Sequence, residues 1–418
     1  PGVGAADVGQ QAWAGVGLGH AKAQRCGRLE DQSCNETTKP AHFPRDFSVV
    51  EPKIRPDNSC SFATVGVKLH FLPPGPVLFA PAEMSALPIS PAVEMPGPLV
   101  VADIGGTNAR FAWAEQPGLA VQHVLTLPVA EFEGPGQAMQ YYLAQLPAKH
   151  RQRASTHGLH AGWALATAVE GDRIEMTNNH WRFSCQAESQ RLGLRGLQVL
   201  NDFEALACSL PHLGPQQWRS WDGRSPSLQG PLAVIGPGTG LGVAGMMPTP
   251  QGWAALPGEG GHMTLAPHDD FESELLATAR RQWPHVSGER FLSGIGLPLL
   301  HECVSRVSGW PVVALEPHEI VSQGLSSDPA ARRTLEVFCA MLGGYAGNVA
   351  LTLGAKGGVF IGGGLVPRLG DWFFTSDFRA RFEHKGRFSS YLQDIPTVVI
   401  TDTMAALLGV SAAVAQRG

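Results

Sequence analysis

Two stretches of this chain repeat one design: a short apolar run, a glycine-dominated turn carrying one threonine, and a second apolar run. The first is Leu99-Val-Val-Ala-Asp-Ile-Gly-Gly-Thr-Asn-Ala-Arg110. The second is Leu232–Ile235 followed by Gly236-Pro-Gly-Thr-Gly-Leu-Gly242 and Val243-Ala244-Gly245. Each reads as two strands joined by a tight turn. Glycine at the tip lets backbone N–H groups come close to something bulky and anionic, such as a phosphate, and Thr107 and Thr239 add hydroxyl donors. Neither turn is a G-x-G-x-x-G opening a helix, and neither carries the Gly-Lys-Ser/Thr of a Walker A loop. Two such hairpins can clasp a polyphosphate from both sides. Asp103, at the end of its strand, stands where a carboxylate holds a hydrated Mg²⁺. For either turn alone, a plain hairpin whose Asp and Gly serve only the turn is an equal reading.

From Pro98 onward the pattern alternates strands and helices, which sets the fold class as α/β. Strand-like runs fall at Gln122–Leu127, Leu159–Thr167, Leu197–Leu200, Pro231–Ile235, Gly358–Ile361 and Thr397–Ile400. Helical periods fall at Gln137–Leu146, Phe271–Trp283, Leu297–Val307 and Met404–Val414. The longest spans roughly Ala330–Leu353, with Leu335, Phe338, Cys339, Leu342, Tyr345, Ala346 and Val349 on one core-facing stripe. A Pro- and Gly-rich stretch near Pro211–Gly230 suits a connection between two lobes.

At 418 residues and 44% hydrophobic content the chain is long enough for two domains. A net charge of −5 gives no reason to expect nucleic acid or an anionic membrane as partner. No uninterrupted apolar run reaches the roughly 18 residues of a membrane span. The 7 cysteines include no C-x-x-C pair, and four of them lie in apolar or helical patterns, as thiols of a reducing cytoplasm do. Residues 1–97 differ: rich in Gly, Pro and polar residues, without sustained periodicity, and starting with Pro while Met84 and Met95 stand just ahead of the ordered pattern. They are expected to be a disordered leader or an overextended reading frame.

Further stretches carry chemistry. In Leu197–Leu210 a strand ends at Leu200 and a helix begins near Phe203, with Asn201-Asp202 at the junction, beyond a strand's carboxyl end where open α/β sheets bind ligands. An Asx helix cap is the plain alternative. In Leu256-Pro-Gly-Glu-Gly-Gly-His262 the glycines leave Glu259 and His262 as the functional side chains, suited to sugar hydroxyls and lacking the neighbours of a tetrahedral metal site. Val359-Phe-Ile-Gly-Gly-Gly-Leu-Val-Pro367 is a buried strand running into three glycines on which an adenine can lie flat.

Together these motifs resemble the bacterial glucokinase family, within the group that includes hexokinase, actin and the heat-shock chaperone ATPases. The resemblance runs from Pro98 to about Gly418 and also takes in Met176-Thr-Asn-Asn-His-Trp181 and His285-Val-Ser-Gly-Glu-Arg-Phe-Leu-Ser-Gly294. The related repressor-and-sugar-kinase family usually has a Cys-rich zinc motif after its Gly-His, which this chain lacks. The resemblance implies a two-lobed actin-like ATPase (ribonuclease H-like) fold with the active site in the interdomain cleft. It implies a small domain of 98–211 joined by the C-terminal helix (about 400–418), and a large domain of 212–399. It also implies that Asn201, Asp202, Glu259, His262 and Glu289 hold a hexose. Ala102, Asp103, Ile104, Gly105, Gly106 and Thr107, with Gly238, Thr239 and Gly240, would hold the phosphates of ATP, and Gly362, Gly363 and Gly364 the adenosine. Asp103 would bind Mg²⁺ through water.

Asp202 would take the proton of the sugar's 6-hydroxyl as its oxygen attacks the terminal phosphorus of ATP. Glucose and ATP are the expected substrates, with a cytoplasmic location and a possible homodimer. The alternatives are a non-catalytic sugar-sensing regulator, a chaperone- or actin-like ATPase without an acceptor, and a kinase of another hexose or with another phosphoryl donor. The regulator lacks support in the leader, which has neither a helix-turn-helix pattern nor a basic stripe.

Overall fold

The computed structural model describes residues 48–54, 60–66, 97–118 and 120–417. The chain falls into two units, Pro1–Ser85 and Ala86–Gly418. In the first, β1 (Ser48–Ile54) and β2 (Cys60–Gly66) pair antiparallel, Ser48 opposite Gly66. The rest of the expected leader lies outside the described residues.

In the second unit one strand plan is used twice. β3 (Leu99–Ile104), β4 (Asn108–Ala114) and β5 (Gln122–Pro128) form an antiparallel meander. β6 (His160–Leu165) joins the free side of β3 in parallel. The short pair β7 (Arg173–Glu175) and β8 (Arg182–Ser184) stands apart as its own hairpin, and β9 (Gly196–Asn201) then pairs parallel to β6. The sheet order is β5-β4-β3-β6-β9. The second sheet begins with the short edge strand β10 (Trp218–Ser220) and continues with the meander β11 (Leu232–Pro237), β12 (Leu241–Thr249) and β13 (Gly252–Gly258). β14 (Gly358–Ile361) and β15 (Thr397–Ile400) extend it in parallel from β11, giving the order β10-β15-β14-β11-β12-β13. Both glycine turns thus sit at the tip of the first hairpin of a meander. Of the parallel-paired strands, β11, β14 and β15 are buried along their whole length, as a sheet covered on both faces requires.

The helix Pro329–Leu353 is the longest. It starts where the Asp328 side chain accepts from Ala331 N at 2.7 Å and ends at Gly354, in the left-handed region at φ +61°. All seven residues of its expected stripe are buried. It is the one helix among the described residues long and apolar enough to cross a membrane, and most of it is buried inside the protein. The expected strands and helices are present with small shifts at their ends. Helices at Ala148–His157, Cys185–Leu192 and Pro317–Leu325 lie where none was expected. The first is too polar to show an apolar period and buries one side chain, His150.

One buried cluster joins the sheets: Leu99, Val101 and Ala112 of the first pack in it with Val234, Ala244 and Val398 of the second. Two helices fill the space between, Asp202–Ser209 and the C-terminal Ala405–Arg417. They cross at Gly409, where a Cβ atom would collide with the carbonyl of Ala205 and lie 2.9 Å from Ser209 N. Gly409→Ala is therefore expected to lower the free energy of unfolding by ~1–3 kcal/mol in denaturant titration. Gly344→Ala, a helix position whose added Cβ meets nothing closer than 4.0 Å, should leave it unchanged or raise it. Equal losses for both would show that the helices do not cross in backbone contact.

Candidate active site

The β3–β4 turn is short because Gly105 N donates to Asn108 O at 2.9 Å. A second layer holds its tip. Asn179 Nδ2 donates to Gly105 O at 2.9 Å, and a Cβ on Gly106 would stand 2.8 Å from Asn178 O. The 176–181 motif therefore braces the turn from behind. Ala102 and Ile104 bury their side chains in the core, so of their atoms only the backbone is offered to a ligand. Thr107 is exposed at the tip, its carbonyl accepting from Val129 N at 2.9 Å. A cavity opens at this turn, lined by Asp103, Gly105, Gly106, Thr107, Arg110 and Thr126.

The β11–β12 turn closes with Gly238 N donating to Gly240 O at 2.9 Å, and Thr239 is exposed. It is braced by the segment after Glu289: Gly294 N donates to Gly238 O at 2.8 Å and Ile295 N to Thr239 O at 3.1 Å. Gly362 N donates to Ile235 O at 2.8 Å, which binds the triple-glycine stretch to the same hairpin. Gly363 has φ +76°, and a Cβ there would lie 2.5 Å from Pro237 O, so only glycine fits. Gly364 has open space where a Cβ would be and starts the short helix Leu365–Leu369.

At the end of β9, Asn201 is the helix cap: its Oδ1 accepts from Phe203 N at 2.9 Å and Glu204 N at 3.3 Å, and its Nδ2 donates to Thr167 O at 3.1 Å. The cap and the acid are thus separate residues, and Asn201 has one N–H left for a ligand. Asp202 is the first helical residue and accepts from Phe203 N at 2.9 Å. Burial, foremost, pushes its carboxyl up to about 6; the charge of Asp103, and to a smaller extent that of Glu259, adds to this, while the Phe203 amide works against it. Burial also raises Asp103, partly offset by Arg110, its partner across the β3–β4 ladder. The charges of Asp103 and Glu259 thus both act on the Asp202 carboxyl.

Phe203 connects these parts. A Cβ on Gly236 or on Gly242 would run into its ring, so the ring lies flat against the bare backbone of the second hairpin. Glu259 and His262 are exposed on their turn. That turn is held by Glu289 N donating to Gly261 O at 2.9 Å, while Glu289 Oε2 accepts from Leu241 N at 3.0 Å. Glu289 thus ties the turn of Glu259 and His262 to the second glycine turn and keeps one carboxylate oxygen uncommitted. Tyr345, read from the sequence as a stripe residue, also reaches the turn: its hydroxyl donates to Gly260 O, and its ring packs where a Cβ of Gly288 would be. The polar end of one aromatic within an apolar stripe was the available signal for it.

Among the described residues no three His, Cys, Asp or Glu side chains converge as a metal cage. A half-buried Asp103 at the mouth of a phosphate-sized turn instead fits an ion that keeps most of its water and is completed by substrate phosphates, as Mg²⁺ does.

A glucokinase family model matches residues 100–417. The chain is similar to the glucokinase of Chromobacterium violaceum, 46% identical over 321 residues that cover 77% of this chain and 90% of that one. It is 47% identical over 317 residues to the glucokinase of Aromatoleum aromaticum, covering 76% and 94%. Among solved structures it resembles glucokinase from an Antarctic psychrotroph, with 34% identity, a TM-score of 0.69, and coverage of 76% and 98%. It also shares its fold with glucokinase from Balamuthia mandrillaris, at 20% identity and a TM-score of 0.60, over 77% and 94%.

If Asp103 and Asp202 face each other as described, Asp103→Asn removes one source of repulsion. The Asp202 carboxyl should then titrate below its value of about 6, followed by carboxyl-carbon NMR in the absence of ligands. An unmoved titration would separate the two groups.

Proposed function

We propose, since this chain belongs to the glucokinase family, that Asp202 is its catalytic base and that the two glycine turns hold the donor phosphates. The chain is an ATP-dependent hexose kinase of two-lobed actin-like fold, transferring the terminal phosphate of ATP to glucose to give glucose 6-phosphate. The observation that carries the assignment of the base is the raised Asp202 carboxyl beside Asp103, at a strand end freed from capping by Asn201. A carboxylate with a pKa near 6 is ionised at neutral pH yet a better proton acceptor than an ordinary aspartate.

In this reading Asp202 accepts the proton of the glucose 6-hydroxyl as that oxygen attacks the terminal phosphorus. Glu259, His262, Glu289 and the remaining N–H of Asn201 hold the other hydroxyls and set the ring's orientation. The turn Ala102–Thr107 and Gly238-Thr239-Gly240 direct N–H groups and hydroxyls at the phosphates. The adenosine lies along Gly362–Gly364. Asp103 would hold Mg²⁺ through water, and that ion would supply charge neutralisation on the phosphates. Residues 98–211 with the C-terminal helix form one lobe and 212–399 the other, and their closure on glucose keeps water from the phosphorus. The reading includes a homodimer and a reducing cytoplasm, in keeping with free thiols at Cys185, Cys208, Cys303 and Cys339.

The test is Asp202→Asn, which keeps shape and hydrogen bonding but takes no proton. Glucose should still bind by calorimetry while kcat falls ~10²-fold or more. The same variant carries a stability signature. A pKa of about 6 against a reference of 3.8 means that ionised Asp202 costs the fold ~3 kcal/mol. As pH rises between those values the unfolded chain loses this proton first, so stability from this group falls with rising pH. Asn should therefore melt higher than the native chain at pH 7.5, with the gain gone below about pH 4. Near-normal turnover, or no gain in melting temperature at neutral pH, would reject Asp202 as a buried base.

Tyr345→Phe keeps the ring against Gly288 and removes the hydroxyl from Gly260 O. KM for glucose should rise several-fold, as loss of one buried hydrogen bond of ~1 kcal/mol entails, with KM for ATP unchanged. A rise in KM for ATP instead would place the Glu259–His262 turn against the wrong substrate.

A further inference from the structure

Between the helices Leu297–Val307 and Pro317–Leu325, residues 310–315 belong to neither a helix nor a paired strand. Trp310, Val312 and Val313 are 37%, 44% and 55% exposed. Trp310 N still donates to Ser305 O, but the backbone of residues 312–315 makes no hydrogen bond within the protein. An exposed apolar segment whose backbone groups are unpaired offers them to an extended partner segment, as in strand addition. Val313 and Leu315 line cavities on both sides of it, one shared with Trp283 and Leu299, the other with Trp310 and Pro329.

Charge narrows the occupant. Glu302, Glu316 and Glu319 line the first cavity and Asp328 the second, and neither has a Lys or Arg in its lining. Glu302 is paired with Arg306 at 2.9 Å. Two of the others accept from backbone amides, Glu319 Oε2 from Glu316 N at 2.8 Å and Asp328 Oδ1 from Ala331 N at 2.7 Å, and Glu316 stands at the start of its helix. Among the described residues, Glu316, Glu319 and Asp328 thus have no Lys or Arg beside them in either cavity. At the floor of the second cavity lies His301, 2% exposed. The Thr334 hydroxyl donates to Ala330 O, so it accepts from His301 Nδ1–H, leaving Nε2 as an acceptor for an incoming donor. Burial lowers the pKa of this imidazole, which keeps it neutral.

We propose that residues 312–315 are a docking edge for an extended basic segment of a partner protein, which pairs with their backbone, places alternate apolar side chains in the two cavities and sets its Lys or Arg residues against Glu316, Glu319 and Asp328. A second copy of this chain is disfavoured as occupant, because a two-fold pairing of this edge would bring acidic rim against acidic rim. The surface lies outside the proposed substrate site, so occupancy and turnover are separable.

The test uses the full chain and labelled, end-capped hexapeptides followed by fluorescence anisotropy with glucose and an ATP analogue present. Lys-Val-Lys-Val-Lys-Val should bind saturably, Glu-Val-Glu-Val-Glu-Val should not, and N-methylation of alternate amides should weaken the basic peptide about tenfold. Val313→Lys, at an exposed position that does not test the fold, should weaken it about as much and leave kcat and both KM values unchanged. The proposal fails if the basic peptide shows no saturation by about 1 mM. Indifference to N-methylation or to Val313→Lys overturns it too. So does sedimentation showing that Val313→Lys splits a dimer, because the edge would then be a contact between copies.

Discussion

The rest of the site depends on two aromatic-free backbones coming close enough to fix the helix Asp202–Ser209 on both of its sides. On one side Gly409 lets the C-terminal helix touch the carbonyl of Ala205; on the other Gly236 and Gly242 let the ring of Phe203 lie on the second hairpin. Both contacts are set by absent Cβ atoms, so neither can slide without opening a void or a clash. Asp202 is next to Phe203 in sequence, and its carboxylate is therefore placed relative to the second glycine turn through a single rigid neighbour. The first turn reaches the same place through β3, whose parallel partner β6 is in turn paired to β9 and ends beside Asn201.

That placement has an electrostatic consequence. Asp103, Asp202 and Glu259 come from three separate elements and raise the cost of ionising the group between them. A mobile helix would relieve this by moving away. Here the glycine contacts prevent it and keep the group buried, and burial, with the repulsion added to it, is expressed as a raised pKa rather than as a wider site. Stability comes from elsewhere: the clusters behind each sheet are built of fully buried apolar residues such as Trp113, Trp163, Phe338 and Phe378.

Glycine spacing made the two hairpins legible from the sequence, because a strand–glycine–strand pattern has few other foldings, and both turns are found where they were expected. The buried strands at 358–361 and 397–400 and the helix at 297–307 were legible for a similar reason, continuous apolarity or strong period. What could not be read is what depends on distance in space. Asn201 and Asp202 are adjacent letters, and only the structure assigns capping to the first. Glu289 is an ordinary acidic residue in sequence until its carboxylate is seen on Leu241 N. Tyr345 has a hydroxyl that periodicity treats as part of an apolar face. The polar helix Ala148–His157 escaped for the opposite reason, since it buries too little to impose a pattern.

These contacts also explain why the Glu259–His262 turn need not be rigid by itself. Glu259 and His262 sit among three glycines, a composition that should wander. The turn is instead held from outside by Tyr345 at Gly260 and by the backbone of Glu289 at Gly261, while a side-chain oxygen of Glu289 holds the start of β12. Because Glu289 contacts both turns, displacement of the Glu259–His262 turn would be felt at the β11–β12 turn without any change in the strands beneath them. In the proposed assignment, coupling of acceptor to donor therefore needs no long pathway: one residue spans the gap.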